Sequence, residues 1–96
     1  MPIPYERRKD YFREYALKRL YGITTEIYQH MWNEQDGKCA ACGKTEEENG
    51  QRLSVDHCHR TKIVRKLLCL NCNTILGQAN DNPNVLKLLV LYLEKF

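Results

Sequence analysis

The stretch Asp56-His57-Cys58-His59 decides how this sequence folds, because it places a carboxylate and two imidazoles side by side. One Cys-x-x-Cys pair precedes it, a second follows it, and Asn73 comes directly after the second pair. The paired cysteines are Cys39, Cys42, Cys69 and Cys72. Thiolates, imidazoles and carboxylates are the common protein ligands of metal ions. The layout therefore predicts a site that is built with metal.

The four paired cysteines predict a structural zinc site. Each Cys-x-x-Cys can wrap two thiolates around a tetrahedral ion, and four sulfur ligands leave no position open for a substrate. Such an ion would fasten the loop before Asp56 to the turn after it. Disulfide formation is the alternative use of two close cysteine pairs. The fifth cysteine, Cys58, is interpreted as a small packing residue rather than a nucleophile.

Asp56 and Asn73 predict a second, catalytic ion. Both offer oxygen, which suits a hard cation such as Mg²⁺ or Mn²⁺ that keeps most of its waters. His57 is the candidate general base, because an imidazole can accept a proton from water at neutral pH. Adjacent strand residues face opposite ways, so both can reach one phosphate only if the strand ends or bulges there. The alternatives are an incidental Asp-His pair and an asparagine that only caps a helix.

The length predicts one domain over residues 1–96, near the lower size at which a hydrophobic core alone is sufficient. No apolar run approaches the length of a membrane span, and the N-terminal residues lack the apolar core of a secretory signal. We therefore expect a cytoplasmic protein without membrane contact, in which the cysteines stay reduced.

A basic cluster follows the Asp-His stretch in a chain whose formal net charge is +3. Its members are Arg60, Lys62, Arg65 and Lys66. Beside a candidate metal site, such a cluster predicts a phosphate-bearing substrate. A solvated surface loop is the alternative interpretation.

Hydrophobic spacing predicts a mainly helical α+β domain in three parts. Residues 1–36 form a helical N-terminal arm, residues 37–80 a zinc-stapled core, and residues 81–96 a C-terminal helix. Within these parts we expect helices over 5–21, from Thr24 or Thr25 to Asp36, over 73–79 and over 84–95, with a hairpin of strands 53–57 and 63–68. The acidic run 46–50 is expected to be a loop.

Two helices carry apolar surfaces that need a partner. The last helix is apolar on nearly every side, so either a second copy of the chain or the N-terminal helix should cover it. A homodimer through the C-terminal and N-terminal helices is thus one expectation, and a monomer is the other. The aromatic stripe of the first helix, with Tyr11, Phe12 and Tyr15, is expected to pack against a core rather than stack on bases.

With these motifs in place, the sequence resembles the recombination endonuclease VII family, a branch of the ββα-metal (HNH or His-Me finger) nucleases. The resemblance covers about residues 20–93 and rests on 20–24, both cysteine pairs, 55–59, Asn73, 76–77 and 81–83. It implies a hairpin-plus-helix active site with Asp56 and Asn73 as metal ligands and His57 as base. His59 would engage the phosphate or support the site, and the products would carry 5′-phosphate and 3′-hydroxyl ends.

The sequence departs from the family pattern at Lys62 and Lys66, where glycine is common. If φ is positive at position 62, a lysine there would force a different hairpin turn. The sequence also ends soon after its last helix, without the long extension of junction-resolving members. We therefore expect a nicking or cleaving DNA endonuclease that is shape-selective or weakly sequence-specific. The alternatives are a noncatalytic zinc module that binds nucleic acid and a protein-interaction module that uses the last helix.

Overall fold

Five helices and one two-stranded sheet make up the described part of the chain. The computed structural model describes the backbone of residues 5–96 and the side chains of residues 12–96. The elements in chain order are α1 Tyr5–Tyr21, α2 Thr25–Glu34, α3 Glu46–Asn49, β1 Ser54–His57, β2 Val64–Leu68, α4 Leu70–Gln78 and α5 Pro83–Glu94. The predicted mixture of helices with one small sheet is confirmed.

Side-chain caps set the starts of α2 and α5 where the sequence places them. At α2, the Thr24 hydroxyl accepts a hydrogen bond from the Ile27 amide at 3.1 Å. At α5, the Asn82 side chain accepts from the Asn84 amide at 2.9 Å, and Pro83 occupies the first turn. Each cap satisfies an amide that the helix itself leaves without a partner.

Helix α4 begins earlier than the predicted start at Asn73. Cys69 is its N-cap, and the Cys69 sulfur accepts from the Cys72 amide at 3.5 Å. A thiol or thiolate can thus replace the oxygen that usually caps a helix. The second cysteine pair therefore forms the first turn of α4 instead of a separate turn before it.

The expected loop over 46–50 is wrong, because these residues form the short helix α3. Thr45 and Glu48 make a capping box, in which each side chain takes the backbone amide of the other residue. Gly50 ends the helix in the left-handed conformation at φ 78°. The Thr-x-x-Glu spacing was visible in the sequence, but the run of acidic side chains suggested a solvated loop instead.

The hairpin is irregular at the Asp-His stretch. The paired residues are Ser54 with Leu68, Val55 with Leu67 and His57 with Val64. Asp56 therefore lies opposite two residues of β2, Arg65 and Lys66, which is the arrangement of a β-bulge. Strand β1 also ends at His57. The strand end and bulge that would let Asp56 and His57 reach one phosphate are thus both present.

The core lies between the hairpin, the end of α1, and α2. Its buried members are Leu17, Ile23, Tyr28, Cys39, Leu53, Val55, Leu67, Leu68 and Cys69. Among the described side chains of α1, only Leu17 belongs to this set, while Phe12 and Tyr15 are 61% and 54% exposed. The expectation that these two aromatic residues pack on a core is wrong, and Tyr11 lies outside the described side chains.

Helix α5 stands away from this core, and none of its residues is buried. Its leucines 88, 89, 91 and 93 are 52–69% exposed. The molecule measures 61 × 29 × 22 Å with a radius of gyration of 15.9 Å, against about 12–13 Å for a compact domain of this length. Helix α1 therefore does not cover α5 within one chain. None of the described helices combines the length and apolarity needed to cross a membrane.

Candidate functional site

The four paired cysteines meet in space. Their sulfurs all lie within 4.8 Å of one another, and Cys42 Sγ is 3.7 Å from Cys69 Sγ. A tetrahedral zinc ion with bonds of about 2.3 Å separates its sulfur ligands by about 3.8 Å, whereas a disulfide bond is about 2 Å long. The cluster therefore has the spacing of a zinc site and could hold that ion, as the sequence predicts.

Two different elements present these cysteines. Cys39 and Cys42 lie on a loop that is closed by the bridge between Lys38 and Thr45. The Ala40 amide donates to the Leu67 carbonyl at 3.0 Å, which ties this loop to β2. The other two cysteines begin α4. An ion at the cluster would thus join the loop before the hairpin to the helix after it.

The thiols of the cluster differ in their pKa values. Burial opposes ionisation of Cys39, but the amides of Cys42, Cys69 and Ala41 outweigh it and lower the pKa of this thiol to about 6. Burial, together with the neighbouring sulfurs, raises the pKa of Cys72. Metal binding needs thiolates, so loading of the cluster must release protons.

Asp56 is buried, with 4% of its surface exposed, and is covered by Arg65. Arg65 Nε donates to Asp56 Oδ2 at 2.6 Å and Nη2 donates to Oδ1 at 2.9 Å. The hydrogen bonds to Asp56 are also the main cause of a raised pKa of Arg65. A carboxylate suits a hard cation, but here both of its oxygens are already engaged by a guanidinium.

Asp81 joins this pair to His59, and it is the site residue that the sequence did not reveal. Its Oδ2 lies 2.9 Å from His59 Nδ1 and 3.3 Å from the His59 amide, and its Oδ1 lies 3.2 Å from Arg65 Nη2. The hydrogen bonds from His59, followed by those from Arg65, lower the pKa of Asp81 to about 2. An ionised carboxylate only accepts, so Nδ1 carries a proton, and in a neutral ring Nε2 is then the acceptor.

His57 packs between two rings. Its ring centroid lies 5.5 Å from that of Tyr21 and 5.0 Å from that of His59. Its carbonyl accepts from Arg65 Nη2 at 3.2 Å. The hairpin therefore brings His57 and His59 together, and Arg65 links them to Asp56.

Asn73 lies on α4, which packs against both strands of the hairpin. Its side chain is half-buried and has no hydrogen-bond partner in the described part of the chain. The amide oxygen is thus available as a donor to a cation. Helix α4 lies beside the hairpin, on which Arg65 donates one hydrogen bond to each oxygen of Asp56.

The four predicted DNA-binding side chains fall into two groups. Arg60, Lys62 and Lys66 are exposed and form no ion pair with any described residue, whereas Arg65 is held by two carboxylates. Lys62 has φ 67°, so the positive φ considered from the sequence is present and lysine itself adopts it. A cleft opens beside these residues, lined by Cys58, His59, Arg60, Arg65, Asn80 and Asp81.

Cys58 lies in the hairpin turn and not in the hydrophobic cluster, so its interpretation as a packing residue is wrong. Its sulfur accepts from the Thr61 amide at 3.4 Å. The hydrogen bonds from Thr61 lower the pKa of this thiol to about 7. The turn thus uses Cys58 as an acceptor for its own backbone.

Comparison with known proteins identifies the family of this chain. The family model described as recombination endonuclease VII matches residues 14–95. The Gene 59 protein of Mycobacterium phage D29 is 46% identical over 76 residues, which is 78% of this chain and 46% of that protein. The Gene 59 protein of Mycobacterium phage L5 is 43% identical over 74 residues, 76% of this chain and 44% of that protein. The chain spans less than half the length of these relatives, and it belongs to the recombination endonuclease VII family.

Proposed function

We propose that this chain is a DNA endonuclease that hydrolyses phosphodiester bonds with Mg²⁺ or Mn²⁺. The site would be a ββα-metal (HNH, His-Me finger) unit made of β1, β2 and α4. One observation carries the proposal: in a member of this family, a hairpin and a helix joined by four cysteines present Asp56, His57, His59 and Asn73 on adjoining elements. Residues 37–80 would carry the site, and residues 1–36 and 81–96 would flank it within one domain of residues 1–96.

Each side chain has a role that its position supports. Asp56 and Asn73 would supply oxygen ligands, since one is a carboxylate and the other an amide without a hydrogen-bond partner among the described residues. When bound, the ion would stabilise charge on the scissile phosphate and on the leaving 3′ oxygen. His57 would take the proton of the attacking water. His59, with Nδ1 held by Asp81, would turn Nε2 toward the phosphate.

The basic side chains would hold the DNA. Arg60, Lys62 and Lys66 are exposed, lie on the hairpin and its turn, and have no ion-pair partner in the described residues. Contacts of this kind go to backbone phosphates and carry little sequence information. We therefore propose shape-selective or weakly sequence-specific nicking or cleavage, in the cytoplasm, where the cysteines stay reduced.

A second copy of the chain is the partner that we propose for α5. The helix exposes leucines around most of its circumference and carries only Lys87 and Glu94 as charges. Two copies could therefore pair without strong repulsion and remove this apolar surface from water. The proposed homodimer would use α5 and, as the sequence suggests, the N-terminal helix α1 as well.

A plasmid-nicking assay with Mg²⁺ or Mn²⁺ tests the catalytic proposal. His57→Ala should lower the nicking rate by about 10²–10⁴-fold, because the proton of the attacking water loses its acceptor. His30→Ala is the matched control: His30 is an exposed histidine on α2 that pairs with Glu34 at 2.9 Å, so its loss should leave the rate unchanged. Full activity in His57→Ala would rule out the base assignment.

A noncatalytic zinc module that binds nucleic acid is the second candidate. The hydrogen bonds from Arg65 to both oxygens of Asp56 favour it, because this carboxylate already serves the hairpin as an ion-pair partner. Such a module would bind DNA in a salt-sensitive way without cleavage under any divalent ion. The nicking assay, run beside a binding titration over salt concentration, separates the two candidates.

A further inference from the structure

The buried carboxylate of Asp56 is neutralised by a cation of the chain itself. The Asp56 side chain is 6% exposed and Arg65 is 36% exposed, so the guanidinium covers the carboxylate from the solvent side. Both carboxylate oxygens receive one hydrogen bond each from Arg65. A buried carboxylate needs such a counter-ion, because an unpaired charge at this depth strongly destabilises a fold.

A second carboxylate lies within reach of the same guanidinium. Arg65 Nη2 is 3.2 Å from Asp81 Oδ1, and Asp81 is 17% exposed. Two carboxylates thus share one guanidinium, which leaves an excess negative charge whenever His59 is neutral. This excess attracts a further cation to the group.

We propose that Arg65 is the resident counter-ion of Asp56, which a divalent cation replaces, and that Asp81 retains the displaced guanidinium at the site. The inference rests on the proposed function, because it takes Asp56 as a ligand of the catalytic ion. Arg65 stands on the bulge of β2, where a side chain can be redirected while the flanking pairs of the hairpin stay in register.

Displacement of Arg65 from Asp56 would also give this side chain a second role, in binding the DNA backbone. The cleft beside Asp81 is lined by Arg60, Arg65 and Asn80 among others. A guanidinium released from Asp56 keeps its hydrogen bond to Asp81 and turns its free N–H groups toward this cleft. A planar guanidinium binds phosphate oxygens well. Binding of the divalent cation thereby makes Arg65 available to the DNA backbone.

Binding of Mn²⁺ to the zinc-loaded full chain, without DNA, tests this exchange. The free Mn²⁺ signal in electron paramagnetic resonance reports the affinity. Arg65→Gln should bind Mn²⁺ about tenfold more tightly than the wild type, since the competing charge-assisted pair is gone. Lys66→Gln removes the same charge from the same bulge, but from an unpaired and exposed side chain, and should change the affinity less than about twofold. Equal tightening in both variants, or none in Arg65→Gln, would overturn the exchange.

The same titrations separate the exchange from the proposed function. If Mn²⁺ binds the wild type, binding is lost in Asp56→Asn, and Arg65→Gln keeps the wild-type affinity, then the exchange is wrong and the proposed ion site stands. If neither the wild type nor Arg65→Gln binds Mn²⁺, both are wrong.

A measurement on the wild type covers the case in which Arg65→Gln loses its zinc or its fold. The Nε–H resonance of Arg65, assigned through its own side-chain carbons, should move in ¹H–¹⁵N spectra when Mg²⁺ is added. A resonance that stays in place at saturating Mg²⁺ would overturn the exchange.

Discussion

At the scale of single residues, Lys62 holds the hairpin turn in a left-handed conformation at φ 67°. This conformation costs a residue with a Cβ about 1–2 kcal/mol, whereas glycine adopts it freely. Lys62→Gly should therefore raise the free energy of unfolding by up to about 1 kcal/mol, after the larger entropy of glycine in the unfolded chain is subtracted. Urea unfolding of the zinc-loaded protein measures the change.

Arg60→Gly is the control for this prediction. Arg60 lies in the same turn but is not among the described residues with positive φ. Glycine there brings only its entropic cost, so the free energy of unfolding should fall by about 0.5–1 kcal/mol. A loss of stability in Lys62→Gly as large as that in Arg60→Gly would contradict the strain at position 62.

Asp81 makes stability depend on pH through its interactions with His59 and Arg65. The pKa of this carboxyl is lowered to about 2, so its contribution is present above the ordinary carboxyl range near 3.8 and is lost as the pH falls toward 2. Asp81→Asn should thus be less stable than the wild type at pH 7, where the carboxylate of Asp81 is fully ionised. Urea unfolding of both zinc-loaded proteins at pH 7 measures the difference, because acid would also protonate the thiolates that hold the zinc.

Asp36→Asn is the control for the replacement of an aspartate by an asparagine at a left-handed backbone position. Asp36 shares the left-handed backbone at φ 56°, but its side chain is 92% exposed and its ion pair, with Lys38, spans 4.0 Å. A loss of stability in Asp81→Asn no larger than that in Asp36→Asn would show that the carboxylate charge of Asp81 is not what stabilises the fold.

At the scale of elements, Gln35 connects the end of α2 to β2. Its Oε1 accepts from the Leu67 amide at 2.8 Å, and its Nε2 donates to the carbonyls of Leu67 at 2.9 Å and Lys38 at 2.7 Å. Leu67 is fully buried, so its amide loses its hydrogen-bond partner inside the core when Gln35 is removed. Gln35→Ala should lower the free energy of unfolding by about 1–3 kcal/mol.

Gln29→Ala is the matched control on the same helix. The Gln29 side chain is exposed, and its only hydrogen bond to a described residue goes to Asn33, at 3.0 Å. Its removal should change the free energy of unfolding by less than about 0.5 kcal/mol. Equal effects of the two substitutions in urea unfolding would show that the bonds to β2 do not hold the hairpin.

At the scale of the whole molecule, the cysteine cluster is expected to hold the core together. Two of the buried core residues in the described part of the chain, Cys39 and Cys69, belong to the cluster. Removal of zinc by a chelator should abolish the cooperative thermal unfolding transition, and added zinc should restore it. Circular dichroism follows both steps.

Two cysteine substitutions test whether the zinc is bound by the four-cysteine cluster. Cys42→Ser removes one ligand and should lower the zinc content, whereas Cys58→Ser changes a cysteine outside the cluster and should keep it. Equal zinc content in the two variants would contradict the four-cysteine site.

Sedimentation equilibrium tests the proposed pairing of α5. The wild type should sediment as a dimer and Leu93→Glu as a monomer, because Leu93 is 69% exposed in the single chain. Ile63→Glu is the control, since Ile63 is equally apolar and 65% exposed but lies at the hairpin turn. A monomeric wild type, or dissociation by both variants alike, would exclude α5 as the interface.

Local chemistry explains which elements could be predicted. Thr24 and Asn82 are capping residues whose side chains act within their own turn, so the starts of α2 and α5 follow from the sequence. The meeting of the four paired cysteines could also be predicted, because thiolates at this spacing bind metal in many folds. The exposure of α1 and α5 could not be predicted in this way, since it depends on where the small core lies.

The sequence by itself determined the hairpin, the cysteine pairs that meet between it and α4, and the donor groups that we propose for the site. Only the tertiary structure decided that Arg65 covers Asp56 and that Asp81 holds His59. The reason is geometric. The direction of Arg65 is set by a bulge in the strand register, and Asp81 reaches the hairpin from a left-handed backbone position beyond α4, so neither contact is encoded in the spacing of neighbouring residues.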